Sequence, residues 1–222
     1  MPSCQENAHR HKGLYLVSLM ALYNECLTKT NLWLAKMSLK DKEKWDQKYA
    51  DQEYAAGREP SNWLKNNAHL LTNNGKALDI AGGEGRNSVF VAKKGYQATC
   101  LDISGNGLIK AQALAQENKT TITTLNADLD MSSLPENEYD LVLCFNFLDR
   151  NLFSGIRKTL KLGGLLFYET FNQDYLKYSR FKKEWVLESN ELLQVFNDFR
   201  ILRYQEVNED PKAFSSLVAQ KL

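Results

Sequence analysis

Hydrophobic and polar positions alternate regularly along the chain from residue 76 onward. Apolar or β-branched runs predict strands at residues 76–81, 97–102, 121–125, 139–145 and 165–170. Apolar residues at helical spacing predict helices at residues 87–94, 107–118, 153–160 and 189–196, the last capped by Ser189. This alternation is typical of a parallel sheet with crossover helices on both faces. The run at 139–145 is nearly all apolar, which predicts a strand in the middle of the sheet.

The C-terminal segment departs from that alternation. Two β-rich runs, at residues 200–206 and 214–220, leave no room for a helix between them. Their connection contains asparagine, aspartate and proline, which favour a turn, so the two runs are expected to form an antiparallel hairpin. Five α/β units closed by this hairpin predict an α/β, doubly wound, seven-stranded and mostly parallel sheet with a C-terminal antiparallel hairpin.

The first forty residues differ in character from the rest. The apolar stretch at residues 14–23 is shorter than the roughly 20 residues that a membrane-spanning helix needs. It has the outline of a secretory signal but lacks a convincing cleavage site. The other interpretations are a helix packed on the domain and an extension upstream of a natural start near Met37. We therefore expect an N-terminal extension over residues 1–40, helical or poorly ordered, and a single domain over residues 41–222.

Composition and charge narrow the class of protein. Of the 222 residues 43% are hydrophobic and 25% charged, as in an ordinary globular domain. The 28 Lys and Arg against 27 Asp and Glu give a net charge of +1, which favours neither nucleic acid nor a membrane as partner. The cysteines form no CxxC pair, and Cys100 and Cys144 lie in apolar runs, so we expect reduced thiols in a cytoplasmic protein without a metal site. The oligomeric state stays open.

A glycine-rich turn follows the first predicted strand, in the sequence Gly82-Gly83-Glu84-Gly85. Ligands bind outside the carboxyl ends of such parallel strands. Glycine permits a tight turn and a close approach of the backbone to a ligand, and the following helix presents free N–H groups. Because many strand-to-helix turns carry glycine for geometry alone, this signal needs support from elsewhere.

Three aspartates supply that support, since each stands at or after the end of a different predicted strand. Asp79 lies in the first strand, and Asp102 ends the second, where a carboxylate can accept both hydroxyls of a ribose. Asp128 follows the third strand and could accept a hydrogen bond from an adenine amino group. Together with the glycine turn they predict one crevice for a nucleoside.

The same residues carry a resemblance to a known family. Residues 79–85 (DIAGGEG) resemble the first motif of class I S-adenosylmethionine-dependent methyltransferases, and Asp102, Asp128 and residues 139–142 (YDLV) fall where later motifs lie. The chain resembles most the tellurite-resistance and thiopurine-type branch, through residues 44–49 (KWDQKY), 85–87 (GRN), 146–150 (NFLDR) and 162–165 (LGGL). It departs from the family at Ala81, where glycine is usual.

The resemblance implies S-adenosylmethionine as cofactor. Asp79 and the glycine turn would face its methionine part, Asp102 the ribose, and Asp128 with the Leu129 N–H the adenine. The residues implied to bind it are Tyr49, Asp79, Ala81, Gly82, Gly83, Gly85, Arg86, Asn87, Asp102, Ile103, Asp128, Leu129 and Asn146. Tyr49 lies in a segment that would fold over the cofactor, and simple packing of an N-terminal helix is the alternative.

Methyl transfer from a sulfonium depends mainly on alignment, and it needs a general base only if the acceptor atom is protonated. The candidates for catalysis and substrate contact are Asn146, Asp149, Arg150 and Glu169. Arg150 could hold an anionic substrate, and Asp149 or Glu169 could accept a proton. Alternatively, Asp149 caps the next helix and pairs with Arg150.

An aromatic and basic insertion at residues 172–185 is predicted to cover the site as a lid for a small substrate, and stacking on nucleic-acid bases is the other interpretation. The predicted function is therefore methylation of a small molecule. A non-catalytic S-adenosylmethionine-binding partner subunit is the alternative, supported by Ala81 and by the unusual N-terminal segment. A nicotinamide-dependent dehydrogenase is disfavoured, because Ser88 stands where that pattern needs a third small glycine or alanine.

Overall fold

The computed structural model describes residues 38–222 of the chain. The chain divides into two compact units, residues 1–43 and residues 44–222. Of the first unit only residues 38–43 are described, and they are helical. The predicted extension over residues 1–40 thus lies almost wholly outside the described residues, and both it and the predicted boundary stay predictions.

The second unit contains the predicted strands and helices. Its helices are α1 (residues 44–48), α2 (Asn62–Asn66), α3 (Arg86–Lys93), α4 (Gly105–Glu117), α5 (Leu152–Thr159) and α6 (Glu191–Val195). Its strands are β1 (Lys76–Ile80), β2 (Gln97–Asp102), β3 (Thr123–Asn126), β4 (Tyr139–Phe145), β5 (Leu160–Phe171), β6 (Phe199–Glu209) and β7 (Lys212–Lys221). Short 3₁₀ turns lie at Ala68–Leu70, Gln173–Lys177 and Lys183–Trp185.

Within the described residues the strands form one seven-stranded sheet in the order β3-β2-β1-β4-β5-β7-β6. The first five strands are parallel, and β7 runs antiparallel between β5 and β6. This confirms the predicted doubly wound sheet with its C-terminal hairpin. The winding reverses between β1 and β4, so the crevice for a ligand is expected outside the carboxyl ends of these two strands.

Strand β4 forms the centre of the core, as its apolar sequence predicts. Leu141 and Leu143 pack into the cluster on one face of the sheet, while Val142 and Cys144 pack into the cluster on the other. All four are fully buried. Burial of one such aliphatic side chain stabilises the fold by about 1.5–3 kcal/mol. Strand β4 therefore anchors the centre of the sheet, and the ends of the neighbouring strands are positioned relative to it.

The start of β5 and the cap of the last helix differ most from the predictions. Strand β5 begins at Leu160 rather than at residue 165, and it contains a register shift against β4 near Gly163, whose φ of 78° is left-handed. The predicted cap of the last helix is also wrong. Asn190 is the N-cap, whereas the Ser189 hydroxyl donates to Glu206 of β6 at 2.8 Å. Because Glu206 takes this hydroxyl, Ser189 ties the loop to the hairpin rather than starting the helix.

No helix among residues 38–222 is both long enough and apolar enough to cross a bilayer.

Candidate cofactor site

The turn between β1 and α3 is packed tightly against its neighbours. The Gly82 N–H donates to the Leu101 carbonyl of β2 at 3.0 Å. A β-carbon at Gly82 would lie 2.7 Å from the Cys100 Sγ, and one at Gly85 would lie 2.5 Å from the Ala111 Cβ. Side chains larger than hydrogen therefore do not fit at either position without displacing β2 or α4, which explains why the turn carries glycine.

Asp102 joins this turn to the end of β2. Its Oδ2 accepts the Gly83 N–H at 2.8 Å, and its Oδ1 accepts the Ser104 N–H at 2.8 Å. Burial raises the pKa of Asp102, although the two N–H bonds oppose that shift. A carboxylate offers about four acceptor positions, so the two bonds leave capacity for further donors such as hydroxyls. The structure thus brings Gly83 and Asp102 together, as the sequence predicts.

Asp79 lies beneath the turn rather than on its open side. It is 2% exposed, and its Oδ2 accepts the Ser88 hydroxyl of α3 at 2.7 Å. Burial raises the pKa of Asp79 to about 7. The carboxyl therefore supports the turn from below, and a contact to the methionine part of a cofactor stays a prediction.

Asp128 and Leu129 lie in a turn directly after β3. The Asp128 Oδ1 accepts the Asp130 N–H at 3.0 Å, and Leu129 packs against the core. The preceding Ala127 N–H donates to the Asp102 carbonyl at 3.2 Å, and the Asn126 amide donates to the Ile103 carbonyl at 2.9 Å. These bonds hold the ends of β2 and β3 together, so Asp128 lies at the same sheet edge as Asp102.

Tyr49 lies directly on the glycine turn. A β-carbon at Gly83 would be 2.8 Å from the Tyr49 hydroxyl, and one at Gly107 would be 3.0 Å from its ring. Trp45 stacks on Tyr49 with ring centroids 5.6 Å apart. Burial and the nearby Asp102 carboxylate raise the pKa of Tyr49, which keeps its hydroxyl protonated. The ring covers the turn, and a role in covering a bound cofactor stays a prediction.

The side chains of Arg86 and Asn87, both predicted to bind the cofactor, form hydrogen bonds to the backbone of residues 53–61. The Arg86 Nη1 donates to the Ala56 carbonyl at 2.7 Å. The Asn87 Oδ1 accepts the Ser61 N–H at 2.8 Å. Their side chains therefore hold the segment before α2 against the start of α3, and contacts to a cofactor stay predictions.

Two non-glycine residues adopt left-handed backbone where the winding of the sheet reverses. Ala81 follows β1 with a φ of 52°, and Asn146 follows β4 with a φ of 55°. The Asn146 N–H donates to the Glu169 carbonyl at 2.8 Å, and its side chain is exposed. Strained backbone of this kind concentrates at functional sites, and here it directs two chain segments toward the predicted crevice.

Arg150 does not pair with Asp149. Its guanidinium forms two bonds with the Glu191 carboxylate of α6, at 2.7 and 2.8 Å, and donates to the carbonyls of Glu184 and Val186, each at 2.9 Å. The alternative in which Arg150 pairs with Asp149 is therefore wrong, because the bidentate geometry of Glu191 satisfies the planar guanidinium better. Arg150 fixes the insertion after β5.

The two remaining carboxylates differ in environment. The Asp149 Oδ1 accepts the Asn151 N–H at 2.9 Å, but Asn151 is the N-cap of α5 and the helix has no side-chain cap bond, so the alternative in which Asp149 caps this helix is wrong. Glu169 is held by two hydroxyls, from Ser61 at 2.9 Å and Ser216 at 2.8 Å, and burial raises its pKa. Burial thus makes Glu169 a stronger base than an ordinary exposed carboxylate.

Sequence reasoning missed several residues that build this site. Ser88 and Ser104 bond the two buried aspartates, and Ser61 bonds Glu169. Ser104 carries a readable signal, since a serine before a helix is a typical N-cap, and its Oγ accepts the Gly107 N–H at 3.1 Å. For the others the sequence separation from the partner leaves no local signal.

The sheet order, the glycine turn and the acid at the end of β2 define the class: a Rossmann-like methyltransferase fold. A family model described as a methyltransferase domain matches residues 77–164. The crystal structure of TehB from Haemophilus influenzae aligns with a TM-score of 0.63 and 20% identity, over 82% of this chain and 67% of that one. Magnesium protoporphyrin IX methyltransferase from Synechocystis, solved with bound SAH, aligns with a TM-score of 0.55 and 18% identity, over 83% and 84%.

Curated sequences agree with the structures. The chain is 27% identical over 139 residues to the probable S-adenosyl-L-methionine-dependent methyltransferase TehB of H. influenzae, covering 59% of this chain and 48% of TehB. It is 31% identical over 108 residues to a ubiquinone biosynthesis O-methyltransferase of Hydrogenovibrio crunogenus, covering 46% and 44%. The chain thus spans about half the length of these relatives. The predicted resemblance to class I methyltransferases, and to the tellurite-resistance branch within them, is confirmed.

Replacement of Ala81 by glycine is expected to stabilise the protein. A left-handed non-glycine residue costs about 1–2 kcal/mol, and the greater freedom of glycine in the unfolded chain offsets part of the gain. We expect Ala81→Gly to raise the free energy of unfolding by about 1 kcal/mol, measured by urea denaturation. Ala113→Gly, on an exposed face of α4, is the matched control and should lower it by about 1 kcal/mol. An Ala81→Gly variant less stable than wild type would contradict this account.

The buried Asp79 carboxyl predicts a dependence of stability on pH. Its pKa is about 7 in the folded protein and 3.8 as an ordinary carboxyl, so between these values the folded state binds the extra proton. The free energy of unfolding should therefore fall as pH rises through this window. Asp79→Asn cannot ionise, so its stability relative to wild type should increase from about pH 4 to about pH 7 and then level off. Urea denaturation across this range measures the difference, and a constant difference would refute the assignment.

Proposed function

We propose that this chain is an S-adenosylmethionine-dependent methyltransferase that acts on a small molecule by in-line methyl transfer. The observation that carries the proposal is the Asp102 carboxylate at the end of β2, which is bonded to the glycine turn after β1, the strand at which the winding of the sheet reverses. An acid in this place fits the ribose of a nucleoside cofactor. The TehB and ubiquinone O-methyltransferase relatives support methyl transfer as the reaction.

The residues around the turn fit such a cofactor. Asp102 retains acceptor capacity for ribose hydroxyls, and Asp128 with the Leu129 N–H would hold the adenine. Tyr49 would cover the turn, and Asn146 would approach the sulfonium side. When bound, the cofactor supplies an activated methyl group on sulfur. The contribution of the protein is then to hold and align the reactants, which can lower a barrier by roughly 7–11 kcal/mol.

Among the candidate catalytic residues, the contacts favour Asn146 and Glu169. The guanidinium N–H groups of Arg150 are bonded to Glu191 and to the insertion, and Asp149 accepts a backbone N–H just before α5. Glu169 has its pKa raised by burial, so it is a stronger base than an exposed carboxylate if the acceptor atom arrives protonated.

A small acceptor suits the insertion after β5 better than nucleic acid does. Three of its basic residues are paired with acids: Lys177 with Asp174, Lys182 with Glu184, and Lys183 with Glu188. Its aromatic rings pack against one another and against β5 and β7, in contacts among Phe171, Tyr175, Phe181, Trp185 and Phe214. The paired lysines leave little excess charge for a phosphate backbone. We also infer a cytoplasmic location, which the free thiols of Cys100 and Cys144 support.

Binding of the cofactor is expected to depend on the Asp102 carboxylate. In Asp102→Asn the amide nitrogen replaces an acceptor by a donor, so either a ribose hydroxyl or a backbone N–H loses its partner. Calorimetry should show S-adenosylmethionine binding by the wild type and an affinity about ten- to hundredfold weaker in the variant, since a hydrogen bond to a charged group is worth about 1.5–3 kcal/mol. Asp198→Asn changes an exposed carboxyl paired with Arg157 and should bind like wild type. Equal affinity in all three proteins would exclude this role.

Catalysis itself is tested with a panel of acceptors and labelled cofactor. We expect methyl transfer to at least one of tellurite, selenite, small thiols, phenols or small carboxylates. For a protonated acceptor, Glu169→Gln should lower kcat by about 10²–10⁴-fold with little change in cofactor affinity. Cofactor binding without transfer to any acceptor would favour the non-catalytic partner subunit instead.

A further inference from the structure

The residue in the turn that is not glycine forms a buried ion pair. The Glu84 side chain is 2% exposed, and its Oε1 accepts the Lys110 Nζ of α4 at 2.8 Å. The Lys110 side chain is 15% exposed. Desolvation makes such a pair a weak source of stability, and pairs of this kind are best attested as devices that specify one arrangement of the chain. The residues that contact the pair therefore indicate which arrangement of the chain the pair stabilises.

Both members of the pair bind the backbone of one segment, residues 53–61, which we name the strap. The Lys110 Nζ donates to the Glu53 carbonyl at 2.6 Å. The Ala56 N–H donates to the second Glu84 oxygen at 3.3 Å. The two charges thus lie between the glycine turn and the strap, and each of them binds the backbone in the first part of the strap, at Glu53 and at Ala56.

Further contacts bind the strap to the same elements. The Tyr54 hydroxyl donates to the Lys110 carbonyl at 3.2 Å, and the Lys110 Nζ lies 5.2 Å from the centre of the Tyr54 ring. Arg86 binds the Ala56 carbonyl, and Asn87 binds the Ser61 N–H. The strap is therefore attached to the turn, to the start of α3 and to α4, which are the elements of the candidate cofactor site.

The strap continues from the residue that covers the turn. Tyr49, whose hydroxyl lies over Gly83, precedes Glu53 by a few residues of irregular chain. On its other side Tyr49 is fixed through Asp46, which accepts the Ser104 hydroxyl at 2.6 Å. The ion pair thus contributes to holding Tyr49 in place from the side of the strap, and Asp46 does so from the other side.

We propose that Glu84 and Lys110 are positioning residues for the cofactor: their ion pair holds the strap, and through it Tyr49, in the arrangement that binds S-adenosylmethionine. This inference rests on the proposed function of the same site. The pair acts through the strap and the turn, so its role differs from that of the aspartates. If the strap is held only part of the time, the apparent affinity falls in proportion to that fraction.

The test removes both charges at once. Glu84→Gln with Lys110→Met leaves no unpaired buried charge, so the double variant should fold with a stability near that of wild type. Lys110→Arg keeps the charge and serves as the conservative variant. Glu136→Gln with Lys158→Met removes a matched ion pair, with an N to O distance of 3.4 Å, that is exposed on the surface. Two quantities are measured on the full chain: S-adenosylmethionine affinity by calorimetry, and amide hydrogen exchange of residues 51–60.

We expect the double variant at Glu84 and Lys110 to exchange faster in residues 51–60 and to bind S-adenosylmethionine about tenfold more weakly, as for a strap in place about a tenth of the time. Lys110→Arg should recover most of the affinity, and the surface pair variant should match wild type in both measurements. A purely structural role would change stability without changing affinity.

The measurements distinguish a failure of this inference from a failure of the proposed function. If wild type binds S-adenosylmethionine and the double variant binds it equally well, the inference is overturned while the proposed function stands. Unchanged exchange in residues 51–60 would also overturn it, since the pair would then not hold the strap. If wild type itself does not bind the cofactor, the proposed function fails and the inference fails with it.

Discussion

The site depends on one hydrogen-bonded carboxylate. Asp102 accepts the Gly83 N–H from the turn after β1 and the Ser104 N–H from the cap of α4, each at 2.8 Å. These bonds join the ends of two adjacent strands to the helix that follows, so the glycine turn cannot move independently of β2. The carboxylate is nearly buried, so the bonds that it makes are shielded from water and strengthened. Alignment of the crevice thus follows from a single ionisable group.

Around this bond the sequence predicts much of the architecture. The bounds of β2 and β4 agree with the predicted runs at residues 97–102 and 139–145, because a buried strand in a parallel sheet is apolar along its whole length. The glycine turn was predictable as well, since close packing against Cys100 and Ala111 excludes side chains at Gly82 and Gly85. In such places local sequence and tertiary packing require the same residue types.

Other features could not be predicted, because they depend on partners distant in sequence. Arg150 pairs with Glu191 rather than with its neighbour Asp149, and Glu84 of the glycine turn pairs with Lys110 of α4. A long charged side chain can reach several possible partners. Which carboxylate offers the better geometry depends on the folded arrangement. The N-cap of α6 was not predicted for the same reason, since the Ser189 hydroxyl donates to Glu206 of the hairpin.

The glycine turn and the start of α3 combine two roles, one carried by the backbone and the other by side chains. In residues 82–87 the glycines let the backbone approach β2 and α4, while Glu84, Arg86 and Asn87 direct their side chains to the strap. The motif therefore has a backbone side, suited to a ligand, and a side-chain side, which holds the segment that leads from Tyr49. A change in the strap is transmitted to the turn through these bonds, and a change in the turn is transmitted to the strap. In the proposed role of the ion pair, binding of a ligand on the backbone side and ordering of the strap are coupled, and reciprocity then requires that whatever favours one favours the other.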